Sequence, residues 1–305
     1  MTLTELRYIV AVARERHFSR AAEACFVSQP TLSVAIRKLE EELGVVLFER
    51  ANNEIAVTPV GERIIEQAAR VLEEVQAIRQ MARDGANDLV GPLRLGAIYT
   101  IAPYLLPELI PALHRIAPQM PLLLEENFTF RLTERLRQGE LDAILVALPY
   151  DEPGLRVRVL YEEPFRVVLP DDHPWVGRAA IPADELTPEN MLLLGVGHCF
   201  RDQVLEACPA LNRSLSHAGA QQTLQSGSLE TIRYMVASGA GISVMPCTAT
   251  RRQSIDGLVY KPFEAPAPRR QVALAWRKSF PRIAAMEVLA EAVAACSLNC
   301  MDNSQ

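Results

Sequence analysis

The chain has 305 residues, of which 49% are hydrophobic and 22% are charged, and its formal net charge is −6 at pH 7. This balance excludes a disordered chain and predicts two or three folded domains with substantial cores, while the charge neither indicates nor rules out a nucleic-acid partner. No uncharged apolar run approaches the ~18 residues that cross a bilayer, and no signal segment stands out at the N-terminus. We therefore expect a cytoplasmic protein with no membrane partner, whose six cysteines are reduced at rest.

Three short helices are predicted at the N-terminus. The first ends near His17, the second spans Arg20 to Phe26 behind a Ser19 cap, and the third spans Gln29 to Leu43. The third has a proline in its first turn and a glycine after its last residue, as helix starts and ends often do. Two short strands around a polar turn at 51–54 then predict a small hairpin. A helix, a short turn, a second helix and a hairpin wing are typical of a DNA-binding domain.

An ordinary helical bundle is the alternative interpretation of this N-terminal region. Residues 1–60 carry seven Lys and Arg against eight Asp and Glu, so any affinity for DNA must come from a local face. The start of the third helix offers such a face, because its polar side chains can pair with base edges and phosphates. These side chains are Gln29, Thr31, Ser33 and Arg37.

A long helix is predicted after this domain, from Pro59 to about Ala86, and it would be roughly 40 Å long. Apolar residues recur along it at alternating steps of four and three, namely Ile64, Ala68, Val71, Val75 and Ile78. Such a seam is typical of a coiled coil. Because the helix is too long to be covered by its own small domain, we expect a second copy of the chain as its partner.

Strands and helices alternate from Leu93 onward, which predicts a parallel sheet of βαβ units. Two extended stretches, Leu155 to Leu169 and Val259 to Ala275, predict crossovers between two lobes. Ligands bind beyond the carboxyl ends of the strands in open sheets of this kind. Three residues that each follow a predicted strand therefore indicate a shared site between the lobes: Thr100, Thr129 and Cys199.

Cys199 and Cys208 delimit a helix-permissive segment that contains no glycine or proline. His198 and Arg201 can supply positive charge, and the N-terminus of a helix favours an anion, so these surroundings favour the reactive thiolate of Cys199. If the helix reaches Cys208, the two Cα atoms lie roughly 13 Å apart, whereas a disulfide needs about 4.4 to 6.8 Å. A helix and a disulfide would therefore exclude each other, and oxidation would change the shape of the segment. Two unrelated buried cysteines remain the alternative.

Several motifs together resemble the DNA-binding pattern of LysR-type transcriptional regulators. They are Phe18-Ser19-Arg20-Ala21-Ala22, Ser28-Gln29-Pro30-Thr31-Leu32-Ser33, Leu39-Glu40, Leu43-Gly44, Leu47-Phe48-Glu49-Arg50 and Thr58-Pro59-Val60-Gly61-Glu62. The resemblance covers nearly the whole chain and implies an α/β protein that forms homodimers and homotetramers. It implies a winged helix-turn-helix at 1–58, a dimerising linker helix and hinge at 59–90, and a two-lobed effector domain like that of periplasmic binding proteins at 91–305. Lobe I would comprise about 91–162 and 268–305, and lobe II about 163–267.

The resemblance also implies partners, which are double-stranded promoter DNA and RNA polymerase. The residues expected to contact DNA are Ser28, Gln29, Pro30, Thr31, Ser33, Arg37, Lys38 and Arg50. The chain departs from the family pattern in the wing, where Asn52-Asn53-Glu54 carries no base although many relatives have Arg there. This departure puts phosphate contacts by the wing in doubt.

Within the family, the segment from Gly197 to Gln203 together with Cys208 resembles the members that sense hydrogen peroxide. The resemblance implies that Cys199 is the peroxide-reactive thiol and that Cys208 is its resolving partner. It also implies a peroxide pocket and support for the thiolate from Thr100, Thr129, His198, Asp202 and Arg270. Val196 is a second departure, since it is apolar where acidic residues also occur.

The predicted function is a peroxide-sensing activator of oxidative-stress genes, switched by a reversible Cys199–Cys208 disulfide that cytosolic thiol reductants reset. Because one disulfide forms per signal, such a protein is a sensor and not an enzyme, and we find no catalytic, cofactor or metal motif in the sequence. Two alternatives stay open. One is a LysR-type regulator of a small organic effector with incidental thiols, and the other is a thiol peroxidase, against which the helix-turn-helix argues.

Overall fold

The computed structural model describes residues 1–51, 54–84, 88–187, 191–211, 224–250 and 255–298, without the side chains of residues 50, 51, 54, 77, 79–84, 224 and 225. The chain divides into two compact units, Met1–Ala86 with Arg137–Glu140, and Asn87–Leu136 with Leu141–Gln305. Among the helices in the described ranges, none combines the length and apolarity that a bilayer span requires.

The first unit contains the helices and the hairpin that the sequence predicts. Its elements are α1 (Leu3–Glu15), α2 (Phe18–Ala24), α3 (Gln29–Leu43), β1 (Phe48–Ala51), β2 (Glu54–Val57) and α4 (Pro59–Asp84). The two strands pair antiparallel, as the predicted wing requires. The wing residues Asn52 and Asn53 and the side chain of Arg50 lie outside the described residues.

Local sequence explains where α3 begins and ends. Ser28 Oγ accepts a hydrogen bond from the backbone N–H of Thr31 at 3.3 Å, and Gly44 ends the helix with a φ of 70°. The helix buries one face made by Leu32, Ile36 and Leu39. Its polar start is thereby turned away from the core of the unit.

The predicted cap of the second helix is wrong. Helix α2 begins at Phe18, because His17 Nδ1 accepts hydrogen bonds from the backbone N–H groups of Ser19 and Arg20 at 3.2 and 3.4 Å. The helix ends at Ala24, and Phe26 turns the chain with a φ of 58°. A histidine is an uncommon cap, so propensity favoured the serine two residues later.

The apolar seam of α4 is buried in its first part and exposed further along the helix. Ala68 is buried, and Ile64 and Val71 are partly buried in the core that α4 shares with α1. The expectation that this domain could not cover the seam is therefore wrong for its first half. Ile78, further along, is 65% exposed, so the later part of the helix is open to a second copy of the chain.

The second unit follows the alternating pattern of the sequence. Its strands are β3 (Leu93–Ile98), β4 (Leu122–Asn127), β5 (Ala143–Ala147), β6 (Leu155–Pro170), β7 (Met191–Leu194), β8 (Leu224–Ser226), β9 (Ile242–Pro246), β10 (Leu258–Pro262) and β11 (Arg269–Arg277). Its helices are α5 (Ala102–Ile116), α6 (Thr129–Arg137), α7 (Cys199–Ala207), α8 (Leu229–Ala237) and α9 (Ile283–Ala294).

The strands are ordered β4-β3-β5-β11-β6-β9-β7-β8, with β10 paired to β6. Pairing is parallel among β3, β4 and β5 and among β7, β8 and β9, as predicted. The two long strands β6 and β11 pair antiparallel with each other and with β9 and β5 respectively. The sheet is therefore mixed, because the strands that carry the chain out to the second lobe and back run in opposite directions.

Two separate cores confirm the two-lobed architecture. One core is built on β3, β5, α5 and α9, and the other on β7, β9, α7, α8 and the second half of β6. Strand β6 contributes Leu155 to the first core and Phe165 to Leu169 to the second, so it is the predicted crossover. The loops after β3, β4 and β7 lead to Thr100, Thr129 and Cys199.

Arg282 anchors the beginning of the second unit to the start of α9, and its removal should destabilise this unit. The buried guanidinium donates hydrogen bonds to the backbone carbonyls of Asp88, Gly91 and Pro92 at 2.8, 3.2 and 3.0 Å. Arg282→Ala leaves these carbonyls without that donor, so the free energy of unfolding should fall by about 2–4 kcal/mol. Urea unfolding followed by tryptophan fluorescence checks this, because both tryptophans, Trp175 and Trp276, lie in this unit.

Arg158→Ala is the matched control. Its side chain is 44% exposed and pairs with Glu287 on the surface, so its loss should cost less than about 1 kcal/mol. Equal effects of the two substitutions would contradict the anchoring role of Arg282.

Candidate functional site

A small cleft lies where the loops after β3, β4 and β7 converge. It encloses about 180 Å³ of empty space, part of it open to solvent. Three short segments line it, namely Ile98-Tyr99-Thr100, Asn127-Phe128-Thr129 and Gly197-His198-Cys199. The structure thus brings together four of the residues predicted for the site, and they are Thr100, Thr129, His198 and Cys199.

Cys199 is the first residue of α7, and its thiol is free and half-buried in this cleft. The chain turns into the helix at Gly197, whose φ of 99° suits glycine, and an added Cβ would meet the ring of Phe128 at 3.4 Å. The backbone N–H groups of the first helical turn point toward the N-terminal end of α7, where negative charge is favoured. The sulfur of Cys199 therefore lies at the end of α7 where the helix dipole stabilises negative charge.

His198 forms an aromatic wall of the cleft and does not supply the positive charge that the sequence indicated. Its ring lies 4.8 Å from that of Phe128 and 5.8 Å from that of Tyr99, and the residue is buried. Burial lowers the pKa of His198 below its ordinary value, because it disfavours the charged imidazolium. The ring is therefore neutral near pH 7. Arg201 is directed at the end of β7, where its Nη1 donates to the carbonyl of Leu194 at 2.9 Å.

Two threonine hydroxyls face the same cleft in different hydrogen-bonding states. Thr129 Oγ1 is buried and has no hydrogen-bond partner among the described residues. Thr100 is buried, and its Oγ1 accepts a hydrogen bond from Arg270 Nη1 at 2.9 Å. A buried hydroxyl without a partner is costly unless a ligand satisfies it, so Thr129 indicates a small polar ligand in this cleft.

Arg270 reaches the site through Thr100. Its fully buried guanidinium also donates to the carbonyl of Thr100 at 2.8 Å, forms an ion pair with Glu163 at 2.8 Å, and lies 5.1 Å from the ring centroid of Phe200. The sequence predicted that Arg270 supports the thiolate. The hydrogen bonds place its charge directly behind a hydroxyl of the cleft.

Asp202 and Gln203 differ from expectation in opposite ways. Asp202 was predicted in the pocket, but it is exposed in the first turn of α7 and is not among the residues that line the cleft. Gln203, which the sequence did not single out, donates from Nε2 to the carbonyl of Leu148 at 2.8 Å and so ties α7 to the end of β5 in the other lobe. The signal for Gln203 was its position four residues after Cys199, on the same helix face.

Cys208 lies at the other end of α7 in a contrasting environment. It is fully buried in the core of the second lobe, and burial raises the pKa of its thiol to about 11. Because α7 is unbroken over nine residues, the Cα atoms of Cys199 and Cys208 are roughly 13 Å apart. Both thiols are free, as the predicted exclusion between helix and disulfide requires.

Seven of the eight residues predicted to contact DNA lie on α3 or at its N-cap, and the eighth, Arg50, lies on β1. Pro30, Thr31, Arg37 and Lys38 are exposed. Ser28 and Thr31 share a hydrogen bond of 2.8 Å between their hydroxyls, and Gln29 Nε2 donates to Ser33 Oγ at 2.8 Å. Their polar groups are therefore paired with each other on the exposed face.

Each of the two units matches a domain of one known protein family. Residues 3–62 match the bacterial regulatory helix-turn-helix protein of the lysR family, and residues 86–296 match the LysR substrate binding domain. The chain belongs to the LysR family of bacterial regulatory proteins, which confirms the resemblance found in the sequence.

Particular relatives are OxyR proteins. The chain is 41% identical over 298 residues to the DNA-binding transcriptional dual regulator OxyR of Escherichia coli (strain K12), covering 97% of this chain and 95% of that protein. Full-length OxyR C199D from Pseudomonas aeruginosa has a TM-score of 0.71 and 55% identity, covering 98% of this chain and 96% of that one. The H2O2-bound cysteine-to-serine mutant of OxyR from Corynebacterium glutamicum has a TM-score of 0.64 and 32% identity, covering 96% and 91%.

The neutral state of His198 can be measured directly. Titration followed by NMR should give a His198 midpoint below the value of about 6.5 found in the unfolded chain. Stability linked to this residue is then fully present above pH ~6.5 and is lost as the pH falls toward the lower pKa of the folded state. A folded midpoint at or above that of the urea-unfolded chain would restore His198 as a source of positive charge.

Proposed function

We propose that this protein is a DNA-binding transcriptional regulator that senses hydrogen peroxide through Cys199 and, when oxidised, activates genes for oxidative stress. The observation that carries this proposal is the cleft in which the Cys199 thiol at a helix N-terminus meets the hydroxyls of Thr100 and Thr129. A cysteine-to-serine mutant of OxyR from Corynebacterium glutamicum, a relative of known structure, is H2O2-bound. Peroxide both donates and accepts hydrogen bonds, which matches a site lined by two hydroxyls.

The first step is attack of the Cys199 thiolate on one oxygen of hydrogen peroxide. An S–O bond forms as the O–O bond breaks, so the sulfur is oxidised to a sulfenic acid and the second oxygen leaves as hydroxide, which takes a proton from solvent. The free hydroxyl of Thr129 can orient the peroxide. His198 and Phe128 enclose it on the other side.

The second step needs a change of structure, because Cys208 cannot reach the sulfenic acid while α7 is helical. The buried Cys208 thiol, with its raised pKa, is also a poor nucleophile until it is exposed. Once the helix opens, the Cys208 thiol loses its proton and the thiolate attacks the sulfenic sulfur. An S–S bond forms as the S–O bond breaks, and the hydroxide that leaves takes up a proton to become water. The order of reaction follows, with Cys199 reacting first and Cys208 resolving.

The opening of α7 has an energetic cost that makes the switch reversible. Phe200 and Val204 each leave a fully buried position, at about 1.5–3 kcal/mol each. The hydrogen bond from Gln203 to Leu148 is also lost. The disulfide offsets these losses only while it persists, so cytosolic thiol reductants that cleave it allow α7 to refold and end the signal.

The readout of the proposed switch is DNA binding. The start of α3 would read promoter DNA in the major groove with Ser28, Gln29, Pro30, Thr31, Ser33, Arg37 and Lys38, and Arg50 would contact the backbone from the wing. The open part of α4 near Ile78 would join two copies, and two dimers would form a homotetramer. Rearrangement of the tetramer on DNA would then change its contact with RNA polymerase.

The cleft argues against a small organic effector. The empty space of about 180 Å³ between its walls includes open solvent, so the enclosed part is smaller still and leaves little room for an organic ligand. The aromatic rings of Phe128, Tyr99 and His198 occupy the space beside Cys199. The helix-turn-helix domain at residues 3–62 argues against a thiol peroxidase, which has no need of a DNA-binding domain.

One equivalent of hydrogen peroxide tests the proposal. Disulfide mapping by mass spectrometry should find the Cys199–Cys208 linkage in the reduced protein after treatment, and footprinting of the same sample should show an altered protected length on a promoter. Cys199→Ser should abolish both responses. Cys208→Ser should stop at the sulfenic acid, trapped by dimedone, because the resolving thiol is absent.

Two results would overturn the proposal. A missing Cys199–Cys208 linkage, with a promoter response to an organic ligand in Cys199→Ser, would favour the effector-driven regulator. Sustained consumption of excess peroxide in the presence of a thiol reductant would favour the thiol peroxidase.

A further inference from the structure

A chain of buried polar contacts leads from the cleft to a carboxylate in the sheet. Arg270 on β11 is paired in register with Glu163 on β6, and both residues are at most 2% exposed. Glu163 Oε1 accepts from Arg270 Nε at 2.8 Å, and Glu163 Oε2 accepts from the backbone N–H and the hydroxyl of Thr248 at 3.0 and 2.6 Å. Both oxygens of the Glu163 carboxylate therefore accept hydrogen bonds. The carboxylate is fixed by Thr248, and it in turn fixes the orientation of the Arg270 guanidinium.

The fixed guanidinium sets the direction of the Thr100 hydroxyl. Arg270 can only donate hydrogen bonds, so Thr100 Oγ1 must accept from it, and the hydroxyl hydrogen must point elsewhere. Among the described residues, no second partner of Thr100 Oγ1 is found, and Thr100 lines the cleft beside Cys199. The remaining direction for this O–H is the cleft itself.

We propose that Glu163 is a positioning residue that, through Arg270, holds Thr100 as a hydrogen-bond donor to the leaving oxygen of hydrogen peroxide. This inference rests on the proposed reaction of Cys199 with peroxide. Negative charge develops on the leaving oxygen as the O–O bond breaks, and a preorganised donor backed by a buried cation stabilises that charge. Thr100 keeps its proton, and the hydroxide that leaves is protonated by solvent.

Two reagents separate this role from a general effect on the thiol. Hydrogen peroxide releases hydroxide, a poor leaving group that needs a donor, whereas methyl methanethiosulfonate releases a sulfinate that needs none. Both reagents require the Cys199 thiolate and access to it, so the ratio of their second-order rate constants reports on the leaving group. The common background is the full-length reduced protein carrying Cys208→Ser. Because Cys25 and Cys296 are also free thiols, the rate with each reagent is followed by mass spectrometry of the peptide that contains Cys199.

Glu163→Gln should lower the rate constant with peroxide by about ten- to a hundredfold and change that with methyl methanethiosulfonate by less than about twofold. Thr100→Val should give the same split, and the double variant should lose no more than Thr100→Val alone, because both act on one hydrogen bond. Glu162→Gln is the control. Glu162 is the adjacent, exposed carboxylate, paired with Arg269 at 2.7 Å, and its loss should leave the ratio unchanged.

Thr248→Val decides the question if Glu163→Gln does not fold. This substitution removes the hydrogen bond from the Thr248 hydroxyl to Glu163 without changing charge. It should lower the rate constant with peroxide by about three- to fivefold and leave the rate constant with methyl methanethiosulfonate unchanged. An unchanged ratio in the folded Glu163 and Thr248 variants, or an equal loss with both reagents, overturns the inference while the peroxide reaction stands. A wild-type protein that reacts with peroxide no faster than free cysteine instead overturns the proposed function itself.

Discussion

The helix α7 and a disulfide between Cys199 and Cys208 cannot exist together. The contacts that hold α7 helical therefore also keep the two cysteines apart. As long as nine residues remain helical from Cys199, the Cα atoms of the two cysteines stay roughly 13 Å apart. Phe200 and Val204 hold the helix in the core of one lobe, and Gln203 ties it to the other lobe through Leu148. A chemical change at one sulfur atom can therefore become a mechanical change between lobes.

The electrostatics around Cys199 do not come from the groups that flank it in the sequence. His198 is neutral because it is buried, and Arg201 is committed to the carbonyl of Leu194. What remains is the N-terminus of α7 and the cation of Arg270 behind Thr100, which is balanced by Glu163. Taking both charges of an ion pair out of water can cost more than their attraction returns. The burial of this pair behind the Thr100 hydroxyl therefore supports the proposed role in placing a hydrogen bond.

The sequence predicted the positions of Thr100, Thr129 and Cys199 because strand ends are visible in hydrophobic patterns, and ligand sites in α/β sheets lie beyond those ends. It could not predict Glu163, since the pairing of β6 with β11 depends on sheet register across more than 100 residues of chain. Burial decides the charge of His198, and burial is a tertiary property. For the same reason, the seam of α4 could be found by its spacing, but its division between α1 and a second copy could not.

We expect oxidation to replace the α7 helix by a disulfide. Amide hydrogen exchange of the full-length protein, read by mass spectrometry over residues 199–207 before and after one equivalent of hydrogen peroxide, reports on this change. Residues 199–207 should be strongly protected in the reduced protein and should lose this protection when the disulfide forms. They should keep it in Cys208→Ser, where oxidation stops at the sulfenic acid. Protection that persists in protein shown to contain the Cys199–Cys208 linkage would contradict this expectation.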